Sequence, residues 1–184
     1  MRLFLAFPND VSAAQRLSAI QTRLDAGGVP GRLVPETQWH VTAVFLGERA
    51  PDEVDGVCRI TAAAWRRRQG HVPDSVPLDR ITTFPPGRNP RVLVLAGRAD
   101  DRWQRWHRDL ARALDAPRSA SLIPHVTLVR LGGERLPTLP RDLLRTPVEW
   151  PLSRLVLYHS TLTPSGPRYA PLATWPEARR PRAD

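Results

Sequence analysis

An eight-residue segment occurs twice in this chain. His40-Val41-Thr42-Ala43-Val44-Phe45-Leu46-Gly47 aligns with His125-Val126-Thr127-Leu128-Val129-Arg130-Leu131-Gly132, and six of the eight positions are identical. The copies start 85 residues apart in a chain of 184. A repeat at about half the chain length implies two similar halves, each contributing one copy. Both copies are apolar, rich in Val and closed by Gly, which reads as a strand. Residues i and i+2 of a strand share a face. His40 and Thr42 therefore point one way together, and so do His125 and Thr127. Where the two halves meet, two imidazoles and two hydroxyls can face a common cleft.

That set of groups suits a phosphate. One imidazole can take a proton from an attacking oxygen while the other gives a proton to a departing one. Threonine hydroxyls can donate to phosphoryl oxygens. On this reading the two histidines are interchangeable. No carboxylate cluster or metal-ligand spacing accompanies them, so neither a metal nor a cofactor is expected.

Composition removes rival chemistries. All 27 basic residues are arginine. Without lysine there is no Schiff-base or pyridoxal chemistry, no lysyl-nucleotide ligase and no standard P-loop. Cys58 is the sole cysteine, which excludes an intrachain disulfide and a Cys-rich zinc site. A net charge of +9 favours a polyanionic partner. The apolar run in MRLFLAFPND is too short for a signal peptide, and no stretch approaches the ~20 residues of a membrane span. A soluble, cytoplasmic protein with no membrane contact is expected, as a monomer by default.

The elements alternate. Strands are expected over Arg2–Phe7, Trp39–Leu46, Val76–Phe84, Arg91–Ala96, His125–Arg130, Leu152–Tyr158 and Arg168–Leu172. Helices are expected over Val11–Ala26, Asp52 to about Arg68, and Asp100–Leu114, with Val11, Ala14, Leu17, Ile20 and Leu24 as the buried stripe of the first. The class is α+β with hairpin-like strand pairs. Residues 1–175 read as one domain of two similar lobes, and 176–184 as a mobile basic tail.

The paired His-x-Thr motifs resemble those of the 2H phosphoesterase superfamily. The longer matches are similar to its RNA 2′,3′-cyclic phosphodiesterases, also called 2′-5′ RNA ligases. They include Arg2-Leu-Phe-Leu-Ala-Phe7, Phe84-Pro85, Arg91 to Gly97, and Leu155 through Tyr169. The resemblance implies a two-lobed, pseudo-twofold fold with antiparallel sheets lining a cleft and helices outside. It implies metal-independent opening of an RNA 2′,3′-cyclic phosphate to a 2′-phosphate, and allows reversible 2′-5′ ligation. Carried over by position, His40 would protonate the departing O3′ and His125 would activate water. Thr42, Thr127 and Arg130 would hold the phosphate. A 2H enzyme acting on small cyclic nucleotides or RNA 3′ ends is one alternative, and an idle RNA-binding module is another.

Three expectations concern neighbouring residues. Arg130 lies an odd number of residues from His125, so a regular strand points it away from the cleft unless a bulge intervenes. Phe45, its counterpart, reads as core. Trp103 and Trp106 read as core, with an aromatic-arginine platform for RNA on that helix as the alternative.

Overall fold

The computed structural model describes residues 1–87, 89–117, 122–133, 136–140, 142–164 and 166–176. Beyond Pro176 the expected basic tail lies outside them. The elements run β1 (Arg2–Pro8), α1 (Val11–Ala26), β2 (Arg32–Leu33), β3 (His40–Glu48), α2 (Val54–Arg66), β4 (Ser75–Phe84), β5 (Val92–Gly97), α3 (Asp101–Ala113), β6 (His125–Arg130), β7 (Val148–Pro151), β8 (Leu155–Thr163) and β9 (Gly166–Trp175). No helix among the described residues is long and apolar enough to cross a membrane.

Two antiparallel sheets form. One has the order β3-β1-β8-β9 and the other β2-β6-β5-β4-β7. The halves are related strand by strand. Thr42 pairs with Ala6 and Thr127 with Val94; Phe45 pairs with Phe4 and Arg130 with Val92. The next strand out continues the match, with Tyr158 opposite Phe4 and Phe84 opposite Val92. The repeat thus extends from sequence into a pseudo-twofold arrangement of three strands per lobe.

Helices tie the lobes together by crossing over. Helix α1 leaves the first sheet and packs against β7 of the second, while α3 leaves the second and packs against β3 of the first. Phe7 of β1 meets Trp103 of α3 edge-on at 6.1 Å. Trp150 of β7 is fully buried and donates its Nε1–H to the Phe7 carbonyl at 3.1 Å, joining the two sheets. A single buried cluster runs through both lobes. Each large side chain in it contributes about 1.5–3 kcal/mol by leaving water.

Local chemistry explains the helix ends. Asp10 caps α1 by accepting from the Ala13 N–H at 2.8 Å, and Asp100 caps α3 by accepting from Trp103 at 2.8 Å. Val11 does not join the buried stripe of α1. It is 75% exposed, because it stands about 200° around the helix from buried Ala13. The second helix starts two residues later than expected, after a 3-10 turn over Pro51–Glu53. There the Glu53 carboxylate accepts from the Ala50 N–H at 2.7 Å and pairs with Arg49 at 3.2 Å.

The closing hairpin is longer than expected, running over β8 and β9. Pro167 and Pro171 are tolerated in β9 because it is an edge strand, where a missing N–H breaks no shared ladder. The short strands β2 and β7 carry too little pattern to be seen in sequence.

Candidate active site

Strands β3 and β6 come side by side where the two sheets meet, without pairing to each other. Each carries the same irregularity. In β3, Leu5 pairs with Val44 and Ala6 with Thr42, so Ala43 is an extra residue. In β6, Leu93 pairs with Val129 and Val94 with Thr127, so Leu128 is extra. Ala43 and Leu128 occupy the same position of the repeat. A bulge of one residue shifts every later side chain to the opposite face. The burial pattern records it: Ala43 and Val44 are both buried, as are Leu128 and Val129, which breaks strict alternation.

The bulges decide where the fifth residue after each histidine points. Arg130 returns to the face of His125 and Thr127, so the condition for it to reach the cleft is met. Phe45 likewise returns to the face of His40 and Thr42. It is 43% exposed and lines the cleft, so the expectation that it is core is wrong. Period-two reasoning fails at a bulge, and nothing in Val-Thr-Ala-Val announces one.

The imidazoles are held alike. The Nδ1 of His40 lies 2.8 Å from the Gln38 carbonyl, and the Nδ1 of His125 lies 2.8 Å from the Ile123 carbonyl. A carbonyl only accepts, so Nδ1 carries the proton in each ring. Nε2 of each neutral ring is then left with its lone pair. Ring packing fixes the planes. Phe4 lies 5.0 Å from His40, and Tyr169 meets the same imidazole edge-on at 5.3 Å. Phe84 meets His125 edge-on at 4.9 Å.

Electrostatics separates the two. Burial pushes the His40 pKa from 6.5 down to about 4; the Gln38 carbonyl opposes this, and repulsion from His125, when that ring is protonated, and from Arg130 adds to it. Burial also lowers His125, with the Ile123 carbonyl opposing. Both rings are therefore neutral in the free protein at neutral pH.

Arg130 lines the same cavity as Tyr169, lowers the tyrosine's hydroxyl pKa against the rise from burial, and belongs to none of the ion pairs formed among the described residues. Its Nε is buried with no protein partner. A cavity of about 270 Å³ is lined by Phe4, His40, Thr42, Phe45, Arg130 and Tyr169, among others. A second, of about 320 Å³, opens beside it on His125, Thr42, Ile123 and His107. Among the described residues no acidic side chain lines either cavity. Among the described residues no group of three His, Cys, Asp or Glu could hold a metal ion. Thr127 is half-buried on the His125 face of β6.

Residues around this centre divide into those that reach it and those that do not. Trp39, Trp103 and Trp106 are buried, which removes the aromatic-arginine platform on α3. His159 is half-buried, and its neighbour Ser160 lines the cleft. Phe4, Phe84 and Tyr169 frame the histidines; each lies in a segment that resembles the family, yet no spacing singles it out as a site residue. Phe4 in particular sits in an unbroken apolar strand that reads simply as core.

A pseudo-twofold α+β frame presenting two His-x-Thr strands to one cleft, with an arginine and no carboxylate, is the architecture of a two-histidine phosphoesterase. A family model described as LigT like Phosphoesterase matches residues 8–94 and 97–169, and the chain belongs to that family, within the 2H phosphoesterase superfamily. An RNA 2′,3′-cyclic phosphodiesterase of Thermotoga maritima is 28% identical over 174 residues, which cover 92% of this chain and 91% of that protein. One of Thermus thermophilus is 29% identical over 184 residues, covering 94% and 88%. A crystal structure of a Thermus thermophilus protein matches with a TM-score of 0.71 at 27% identity, over 95% of this chain and 96% of that one. The apo form of E. coli LigT shares the fold, with a TM-score of 0.67 at 22% identity over 95% of both chains.

Proposed function

We propose that this chain hydrolyses RNA 2′,3′-cyclic phosphate ends to 2′-phosphates by two-histidine acid–base catalysis. The observation that carries the proposal is the matched pair of half-sites. Each presents an imidazole whose Nδ1 is committed to a backbone carbonyl, leaving Nε2 for proton transfer. The curated relatives of Thermotoga maritima and Thermus thermophilus, which align along nearly their whole length, support the substrate class.

His125 accepts the proton of an attacking water at Nε2 as the oxygen bonds to phosphorus. The P–O3′ bond breaks, and O3′ takes the proton held by His40. The product carries a 2′-phosphate and a free 3′-hydroxyl. Thr42 and Thr127 donate to the non-bridging oxygens. Arg130, beside Tyr169 and unpaired by any described carboxylate, sets a positive charge where negative charge builds on phosphorus.

His40 must be protonated to act as the acid, yet in the free site it is neutral. The substrate resolves this. A bound phosphodiester puts a negative charge beside the imidazole and offsets Arg130, and both effects favour the protonated ring. His40 therefore takes up its proton with the substrate. Phe45 is 43% exposed beside His40, with the Arg2 guanidinium 5.1 Å from its ring centroid, and the pair is suited to stacking on the terminal base.

No step calls on a metal, and the cyclic ester supplies its own activation. With an RNA 5′-hydroxyl in place of water, the same displacement would form a 2′-5′ linkage. Its reverse would cleave such a linkage with the histidine roles exchanged. Product analysis tests the proposal. An RNA oligonucleotide ending in a 2′,3′-cyclic phosphate is incubated with the protein in EDTA. A 2′-phosphate product is expected. A 3′-phosphate product would reverse which oxygen departs, and strict metal dependence would sink the mechanism.

A further inference from the structure

Each histidine owes its tautomer to one backbone carbonyl, so whatever fixes that carbonyl fixes the proton carrier. The carbonyls belong to Gln38, the last residue of a single 3-10 turn over Glu36–Gln38, and to Ile123, in the loop that leads into β6. Segments of this kind are the ones that drift. In both lobes a glutamine amide pins them.

In the second lobe the pin comes from α3. Gln104 Nε2 donates to the Leu122 carbonyl at 2.6 Å, and the Leu122 N–H donates back to Gln104 Oε1 at 3.0 Å. The two bonds close a ring like that of a paired strand residue. Leu122 is the residue directly before Ile123, and its own side chain is buried, which anchors the segment from the other side. In the first lobe the pin comes from the acceptor residue itself. Gln38 Nε2 donates to the Pro167 carbonyl of β9 at 2.9 Å while its own carbonyl accepts from His40. The lobes do not share this device by position: Gln38 lies two residues before its histidine, whereas Gln104 is on a helix 21 residues before His125. The same requirement has been met twice by different routes.

We propose that Gln104 and Gln38 are positioning residues that hold His125 and His40 in the Nδ1–H form, with Nε2 free for proton transfer. The inference rests on the two-histidine reading above. Without Gln104 the segment keeps only the Gly97 N–H bond to the Pro124 carbonyl and the buried Leu122 side chain, so the Ile123 carbonyl holds Nδ1 less firmly and the ring samples the other tautomer and other orientations. Misplacement of a reacting group by about 1 Å costs on the order of 100-fold. The titratable groups that face His125 are His40 across the cleft and His107 of α3 across the second cavity. The bond to the Ile123 carbonyl favours the protonated ring, so its loss moves the His125 pKa further down.

The test uses Gln104→Leu, which removes both bonds, and Gln104→Glu, which keeps the acceptor for the Leu122 N–H. The first readout is imidazole nitrogen NMR of the intact, unliganded protein, which needs no turnover. Wild type is expected to show His125 with the proton on Nδ1, and Gln104→Leu a mixture of tautomers. The second readout is kinetic. Gln104→Leu should lower kcat roughly 10–100-fold with KM within about twofold, and move the His125 limb of the pH profile to lower pH. Gln104→Glu should fall between it and wild type. Gln38→Leu should act in the same way on His40.

A folded Gln104→Leu protein with wild-type tautomer and pH profile would overturn the inference. So would a kcat loss matched only by a fall in Tm, with both limbs unmoved. If the tautomers shift as expected but wild type hydrolyses no cyclic phosphate, the positioning holds and the functional reading fails.

Discussion

The two half-sites share a strand, a bulge, a threonine and a bonded imidazole, and then they part. Five residues after His40 stands Phe45; five after His125 stands Arg130. The bulges at Ala43 and Leu128 bring both side chains to the cleft. At this matched position one lobe therefore supplies an aromatic ring, with Arg2 lying over it at 5.1 Å, and the other a cation. The surroundings differ in the same sense. His40 is closed in by Phe4 and Tyr169, and burial above all, with Arg130 adding to it, lowers its pKa to about 4. His125 meets a single ring, Phe84. What duplication preserved is the pair of bonded imidazoles, the proton carriers of the proposed reaction. What divergence added is polarity, an asymmetry that lets an asymmetric ester bind in one direction.

Substitutions on the two sides probe this asymmetry, and the histidines carry the largest expected effect. His40→Ala and His125→Ala should each lose about 10²–10⁴-fold in kcat. The double variant should be little worse than either single one, because a general acid and a general base act in one step. Losses that simply multiply would mean that the histidines work separately.

The next effect is on stability. The unfolded chain binds a proton on His40 near pH 6.5, whereas the folded chain resists it down to about 4. Stability is thus complete above pH 6.5 and falls as the pH drops toward 4, by about 3 kcal/mol. His125 adds in the same direction. Urea midpoints measured across this range should show the fall, and His40→Phe should flatten it. An unchanged slope in that variant would remove the buried neutral His40 from the account.

Arg130→Leu removes charge-assisted bonds worth about 1.5–3 kcal/mol, so kcat/KM should drop roughly 10–100-fold, with kcat carrying a share. Phe45→Ala removes a stacking surface worth about 1–3 kcal/mol and should raise KM while leaving kcat nearly intact. Equal kinetic signatures at these two matched positions would erase the proposed polarity between the lobes.

Local rules reach a good part of this arrangement. The repeat picks out both histidines and both threonines, because the period of a strand is enough to put His and Thr on one face. Helical spacing finds α1 and α3, and Asp10 and Asp100 cap them as their residue type suggests. The limits lie where tertiary structure acts on local rules. Phe45 reads as core, and Arg130 stays conditional, because a bulge depends on pairing with a distant strand. The closing hairpin reads short because its end residues, 160–163 and 173–175 among them, are held by β8–β9 pairing and carry no local pattern. Phe4 and Tyr169 are 165 residues apart in the chain and meet only around His40. Gln104 carries no motif at all; its role depends on a helix crossing to the end of a strand.

The division of labour between the lobes can be read from the pH dependence of kcat for wild type beside His40→Ala and His125→Ala. A bell is expected for wild type, with one limb for each histidine in the substrate complex. His125→Ala should lose the acid limb, where the base becomes protonated. His40→Ala should lose the alkaline limb, where the acid gives up its proton. Each lobe would then own one half of the curve. A wild-type bell that persists with both limbs in either variant would contradict the account, since the proton carriers would have to lie elsewhere.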